Sequence, residues 1–183
     1  MKSLEMGLGS PEQKTPEQKQ QMVAKLSRLL HDKWRAPREK KDADGKGTGK
    51  YEPRVKVLVN IEGEEKWFNK GDSKIPVDAQ VLKEQDIANT SYEELDPNWQ
   101  KDNKVAAKIA MNEVFSAVEK GQTLDDPSFI ESASAVIHDE WLKRNGGQAT
   151  EIQKKPYEEL LEDIKEQDRV QLKKAIEIYQ TAK

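Results

Sequence analysis

At 183 residues the chain has room for one domain or two small ones. With 34% hydrophobic and 36% charged residues, two modest cores suit it better than one large one. A net charge of -3 with both signs interspersed gives no field suited to nucleic-acid phosphates, and the lack of cysteine removes disulfides, thiolate catalysis and zinc–cysteine sites.

Residues 1–14 are rich in Gly, Ser, Pro, Gln and Lys and offer little to bury, so a mobile tail is expected there. Met1 to Gln21 has no apolar leader core, and no apolar run approaches the ~20 residues of a membrane span. A soluble, cytoplasmic protein without a membrane partner is therefore expected.

Thr15-Pro16-Glu17-Gln18 reads as a capping box with proline at the first helical position. Val23, Leu26, Leu30 and Trp34 follow as one apolar stripe, and Pro37 closes the helix near residue 35. Lys40 to Lys50 reads as a flexible connection. In Tyr51 to Asn69, alternating Val55, Val57, Val59 and Ile61, a Glu62-Gly63 turn and returning Lys66-Trp67-Phe68 predict a two-stranded hairpin. Gly71 to Thr90 reads as loop. Asp96-Pro97 and Asp126-Pro127 each open a helix, over 97–119 and 127–144, and a last helix is expected over 163–181.

Several of these pieces are written twice. Leu30-His31-Asp32-Lys33-Trp34 matches Ile137-His138-Asp139-Glu140-Trp141, and Ser91-Tyr92-Glu93-Glu94-Leu95 matches Pro156-Tyr157-Glu158-Glu159-Leu160. Asp102-Asn103-Lys104 stands where the later copy has Gln167-Asp168-Arg169, and the protein's only two histidines occupy equivalent places. An internal duplication follows. The expected organisation is a tail at 1–14, a first repeat at 15–120 carrying the hairpin insertion, and a second repeat at 121–183. The expected fold is mainly α.

Histidine and tryptophan three apart share a helix face. Two readings stand: a core Trp with a boundary His hydrogen-bonded to backbone, or a polar rim over an aromatic floor suited to a planar or ribose-bearing ligand. Tyr51, Arg54, Asn89 and Thr90, with Tyr92, gather at the ends of the insertion, where they serve either an Asx-type turn or a hydroxylated, phosphate-bearing ligand. No phosphate loop, His-Glu-x-x-His or Gly-x-Ser-x-Gly occurs, and no metal-ligand cluster stands out, so neither an enzyme nor a cofactor is expected.

The order His-x-x-Trp, Tyr-x-x-Leu, Asp-Arg and an amphipathic helix resembles the ryanodine-receptor-type (RyR) repeat. His138, Trp141, Arg144, Pro156-Tyr157, Leu160 and Asp168-Arg169 carry the likeness in the second copy. The first copy keeps His31, Trp34, Arg38, Tyr92 and Leu95, but has Ser91 for the proline and Asn103-Lys104 for Asp-Arg. The resemblance implies tandem helical repeats without catalytic activity. It also implies, for phage and bacterial members, capture of a nucleotide-derived signal of the cyclic ADP-ribose type. The candidate ligand residues are His31, Trp34, Arg38, Tyr51, Arg54, Asn89, Thr90, Tyr92, His138, Trp141, Arg144 and Tyr157, with the first copy expected to dominate. The competing expectation is a protein-interaction module, which the open edge of the hairpin would also allow as a homo-oligomer.

Overall fold

The computed structural model describes residues 14–147 and 149–182, so the tail expected at 1–14 lies almost wholly outside the described residues. The described residues form four α-helices: α1 (Pro16–Arg35), α2 (Pro97–Glu119), α3 (Pro127–Asn145) and α4 (Glu162–Thr181). Their starts follow local chemistry. Thr15 and Gln18 exchange the two reciprocal hydrogen bonds of the capping box, at 2.8 and 3.2 Å. The Asp96 carboxylate accepts from the Asn98 amide at 3.1 Å, and Asp126 accepts from the Ser128 amide at 2.8 Å. At the far end of α2, Gly121 takes φ +67° and the Gln122 amide reaches back to the Ala117 carbonyl, a turn that suits glycine.

The fold is not mainly α. Helices, the short 3-10 turns included, make up 54% of the described residues and strands 17%, in two small antiparallel sheets, which makes it a mixed α/β fold rather than helical repeats with one hairpin. The strands are β1 (Glu39–Lys41), β2 (Gly47–Tyr51), β3 (Val55–Ile61), β4 (Glu64–Asn69) and β5 (Gln80–Asp86). β1 and β2 form one sheet, and the other has the order β4-β3-β5. The expected hairpin is β3–β4, turned by Glu62 at φ 54° and Gly63 at φ 87°, with the Asn60 side chain accepting from the Gly63 amide.

The other three strands carry no apolar alternation. β1 and β2 are almost wholly exposed and are joined by a turn in which Asp42 accepts from the amides of Asp44 and Lys46. β5 is exposed over its first five residues and holds to β3 through the backbone ladder, helped by a Lys70–Glu84 ion pair at 2.8 Å. Segments that pair by backbone alone leave no period in their side chains.

The described chain divides into two compact units, residues 28–103 and residues 14–27 with 104–182, so that α1 and α2 each run through a boundary. In the 28–103 unit, Val57 and Val59 of the central strand are buried, together with Ile87, Ala88 and Leu95. On the opposite face of β3, Leu58 pairs with Trp67, whose ring meets the edge of Trp99 at 5.8 Å. In the other unit, Leu26, Met111, Val114 and Leu172 are fully buried, and Phe115 meets Tyr179 edge to face.

Leu172→Ala, at a position with no exposed surface, should cost about 2–5 kcal/mol in urea unfolding. Leu161→Ala, at a side chain 58% exposed, should stay within about 0.5 kcal/mol.

Candidate functional site

The two histidines stand in stations built alike. A buried imidazole on a helix needs a hydrogen-bond partner off that helix. His31 Nε2 meets the Thr90 carbonyl at 3.0 Å, and His138 Nε2 meets the Lys155 carbonyl at 3.3 Å. Each ring stacks on the tryptophan one turn later, at 5.8 Å and 22° for Trp34 and 6.2 Å and 24° for Trp141. Each tilts against the tyrosine of a short 3-10 turn, at 6.4 Å and 52° for Tyr92 and 6.3 Å and 54° for Tyr157. A side chain from the following helix ties each turn: Gln100 donates to the carbonyls of Tyr92, Glu93 and Leu95, and Lys165 donates to that of Glu158.

The surroundings differ. In the second station the side chains are tied to one another. The His138 Nδ1 lies 3.4 Å from an Asp168 carboxylate oxygen. Arg169 grips Glu131 with two hydrogen bonds of 2.7 and 2.9 Å and Glu162 with a third, while the Tyr157 hydroxyl donates to Glu131 at 3.2 Å. Those bonds raise the Arg169 pKa, and Arg169 in turn holds the Glu131 carboxyl below its ordinary value. Trp141 is half-buried, its carbonyl taken by the Asn145 side chain, and Arg144 is exposed.

The first station opens instead into a cleft of about 250 Å³. His31 and Trp34 line it from α1, Arg54 from just before β3 and Lys56 from β3, Ile87 from the insertion's end, Leu95 from the end of the tyrosine turn, and Trp99, Asp102 and Asn103 from α2. Lys56 lies 5.1 Å from the Trp99 ring centre and bonds the Asn69 side chain; burial and neighbouring Arg54 push its pKa down. Burial, opposed by the Thr90 carbonyl, likewise lowers the His31 pKa below 6.5.

Of the expected ligand residues, His31, Trp34 and Arg54 line this cleft. Arg38 covers Trp34, its guanidinium 4.6 Å from the ring centre and its Nη1 donating to the Trp34 carbonyl. The others serve the frame. The Tyr51 ring lies under the Arg35 guanidinium, and Tyr92 packs on His31 with its hydroxyl directed at the Gln100 carbonyl. Asn89 accepts from the Tyr51 amide and donates to the Tyr51 carbonyl and to Asp86, so it staples the two ends of the insertion together. Thr90 supplies its carbonyl to His31 and its hydroxyl to the Asp86 carbonyl.

Lys56, Trp99, Asp102 and Asn103 were not among the sequence candidates. Asp102-Asn103 had a signal, since it replaces the Gln-Asp of the second copy; Lys56 and Trp99 had none beyond strand and helix periodicity. Among the described residues no group of three or more His, Asp or Glu is placed to hold a metal ion, and no helix is long and apolar enough to cross a membrane. No family model, curated protein or solved structure matches the chain.

The Asp86 staple has a pH signature. Burial alone would raise its carboxyl, but bonds from the Arg54 amide, the Asn89 side chain and the Ala88 and Asn89 amides outweigh that and hold it below its ordinary value. A lowered folded pKa stabilises above the unfolded value of ~3.9 and is lost as pH falls through the lower folded one. Asp86→Asn should therefore cost about 1–2 kcal/mol at neutral pH, with the gap to wild type closing on acidification in parallel melts. Asn89→Ala should lower the melting temperature as well.

Proposed function

We propose that the protein is a non-catalytic binding module that captures a small nucleotide-derived ligand in the cleft of the first station. The observation that carries this reading is the cleft's mixture of surfaces. Trp34, Trp99, Ile87 and Leu95 offer apolar walls to a flat ring, Arg54 and Lys56 supply positive charge for an anionic group, and Asp102 and Asn103 offer acceptors for hydroxyls or amines. The volume narrows the ligand. About 250 Å³ falls just below the ~300–1,000 Å³ usual for small-molecule sites, so one base or sugar with its phosphate is enclosed and any remainder stays outside.

A binding role, rather than a catalytic one, is supported by how the histidines are used. Both spend Nε2 on a backbone carbonyl, which fixes the ring, and no serine, threonine or cysteine lines the cleft for the remaining nitrogen of His31 to activate. The repeated His-Trp and Tyr-Leu pieces are similar to RyR-type repeats, and on that likeness the ligand would be a signal of the cyclic ADP-ribose type, sequestered in the cytoplasm by a phage or bacterial protein. A second reading, a protein-interaction module, is favoured by exposed Val77, Val81 and Leu82, the last two on edge strand β5.

Calorimetry of the whole chain against ADP-ribose, cyclic ADP-ribose isomers and AMP should give saturable heat. Trp34→Ala and Arg54→Ala should each weaken binding by about tenfold or more, and Arg144→Ala should leave it unchanged. Absence of heat with every compound, together with self-association lost on Val81→Lys, would favour the interaction module.

A further inference from the structure

The two stations differ at one position in a way that bears on what the cleft takes. Asn103 and Asp168 are each the eleventh residue after the tyrosine of their station. In the second station that residue is a carboxylate lying 3.4 Å from His138 Nδ1, so both ring nitrogens face oxygen atoms, one from Lys155 and one from Asp168. The His31 ring holds the same pose against its own tryptophan, tyrosine and backbone carbonyl. Its Nδ1 is therefore directed at the place of residue 103. Asparagine stands there, turns its amide to the Trp99 carbonyl at 3.1 Å, and lines the cleft. Nothing at that position offers His31 a negative charge, while Arg54 and Lys56 line the same cavity.

We infer that the first station is an anion site completed from outside: a phosphate of the ligand takes, beside His31 Nδ1, the place that the Asp168 carboxylate holds beside His138. This rests on the binding role proposed above and names the group by which the ligand is recognised. It also assigns Asn103 as the residue that keeps the site open, because a carboxylate there would occupy it from within.

Proton linkage follows. With Nε2–H committed to the Thr90 carbonyl, Nδ1 must take up a proton to donate to a phosphate oxygen. The charged groups around the ring are Asp32 and Arg35 on its own helix, Glu93 in the tyrosine turn, Arg54 and Lys56 from the strand, and Asp102 from α2. The free imidazole titrates below 6.5, and a bound phosphate raises it, so affinity falls as pH rises through that window.

The experiment uses the full chain, its Asn103→Asp variant and the probes AMP and adenosine. By calorimetry, AMP should bind wild type at least about tenfold more tightly than adenosine and at least about tenfold more weakly to N103D, and ADP-ribose, whose phosphates do not titrate between about pH 6 and about pH 8, should bind wild type more tightly at the lower pH. Separately, and with no ligand present, NMR titration should show the His31 pKa raised in N103D with the melting temperature maintained. If AMP and adenosine bind alike, or N103D binds AMP as wild type does, the phosphate assignment is overturned while the binding role stands. If His31 titrates identically in wild type and N103D, the equivalence of positions 103 and 168 is wrong whatever binds. If N103D shifts His31 but neither probe, nor ADP-ribose, binds wild type, the binding role itself fails and the assignment with it.

Discussion

The structure turns on one kind of hydrogen bond, from a buried histidine of a helix to a backbone carbonyl just before a tyrosine-bearing 3-10 turn. His31 makes it to Thr90 and His138 to Lys155. An imidazole buried without a partner would cost roughly 1–3 kcal/mol, and here that cost becomes a positional constraint. Once Nε2 is committed, the ring plane is set, tryptophan stacks on one side and tyrosine tilts in on the other. The turn then directs the chain into the next helix, where Gln100 or Lys165 reaches back to hold the turn's carbonyls. The separation bridged is 59 residues in one case and 17 in the other, yet the ring geometry agrees within about half an ångström and two degrees.

The two stations differ in what stands beside the ring. At His138 it is filled by the chain itself, through Asp168, Arg169, Glu131 and Tyr157. At His31 the corresponding asparagine is neutral and turned to its own helix, and the insertion joins α1 and α2 in walling a cleft. Arg54, just before β3, and Lys56 within it reach the cleft, and the ring of Trp67, the register partner of Leu58, meets Trp99. The insertion is returned to the station by Asn89 and Asp86, which bind its two ends with three hydrogen bonds between 2.8 and 3.0 Å and bond to each other at 2.7 Å. A loop-closure cost over so long an excursion grows only slowly with its length, so a few well-made bonds suffice to hold its ends.

Much of this was legible from side chains alone wherever side chains set the geometry. The Thr15/Gln18, Asp96 and Asp126 caps place three helix starts, and the twice-written His-x-x-Trp and Tyr-x-x-Leu pieces mark both stations. Strands β1, β2 and β5 stay hidden because backbone pairing between exposed residues needs no apolar period, and the side-chain pattern alone therefore points to a mainly α chain. Asn89 has the composition of a ligand-binding residue and proves to be a staple, since an amide side chain serves backbone and ligand with the same atoms. Lys56 looked like the polar half of an alternating strand. Only the sheet's approach to Trp99 makes it a cleft residue.

The central claim is that the cleft at His31, and not the filled station at His138, receives a ligand. The four tryptophan indole N–H resonances test it most directly, followed by NMR as ADP-ribose is added to the whole protein. The account predicts shifts that saturate together at Trp34 and Trp99, with Trp141 unmoved. Saturating shifts at Trp141 with Trp34 and Trp99 unmoved, or no shift at any of the four, would contradict it.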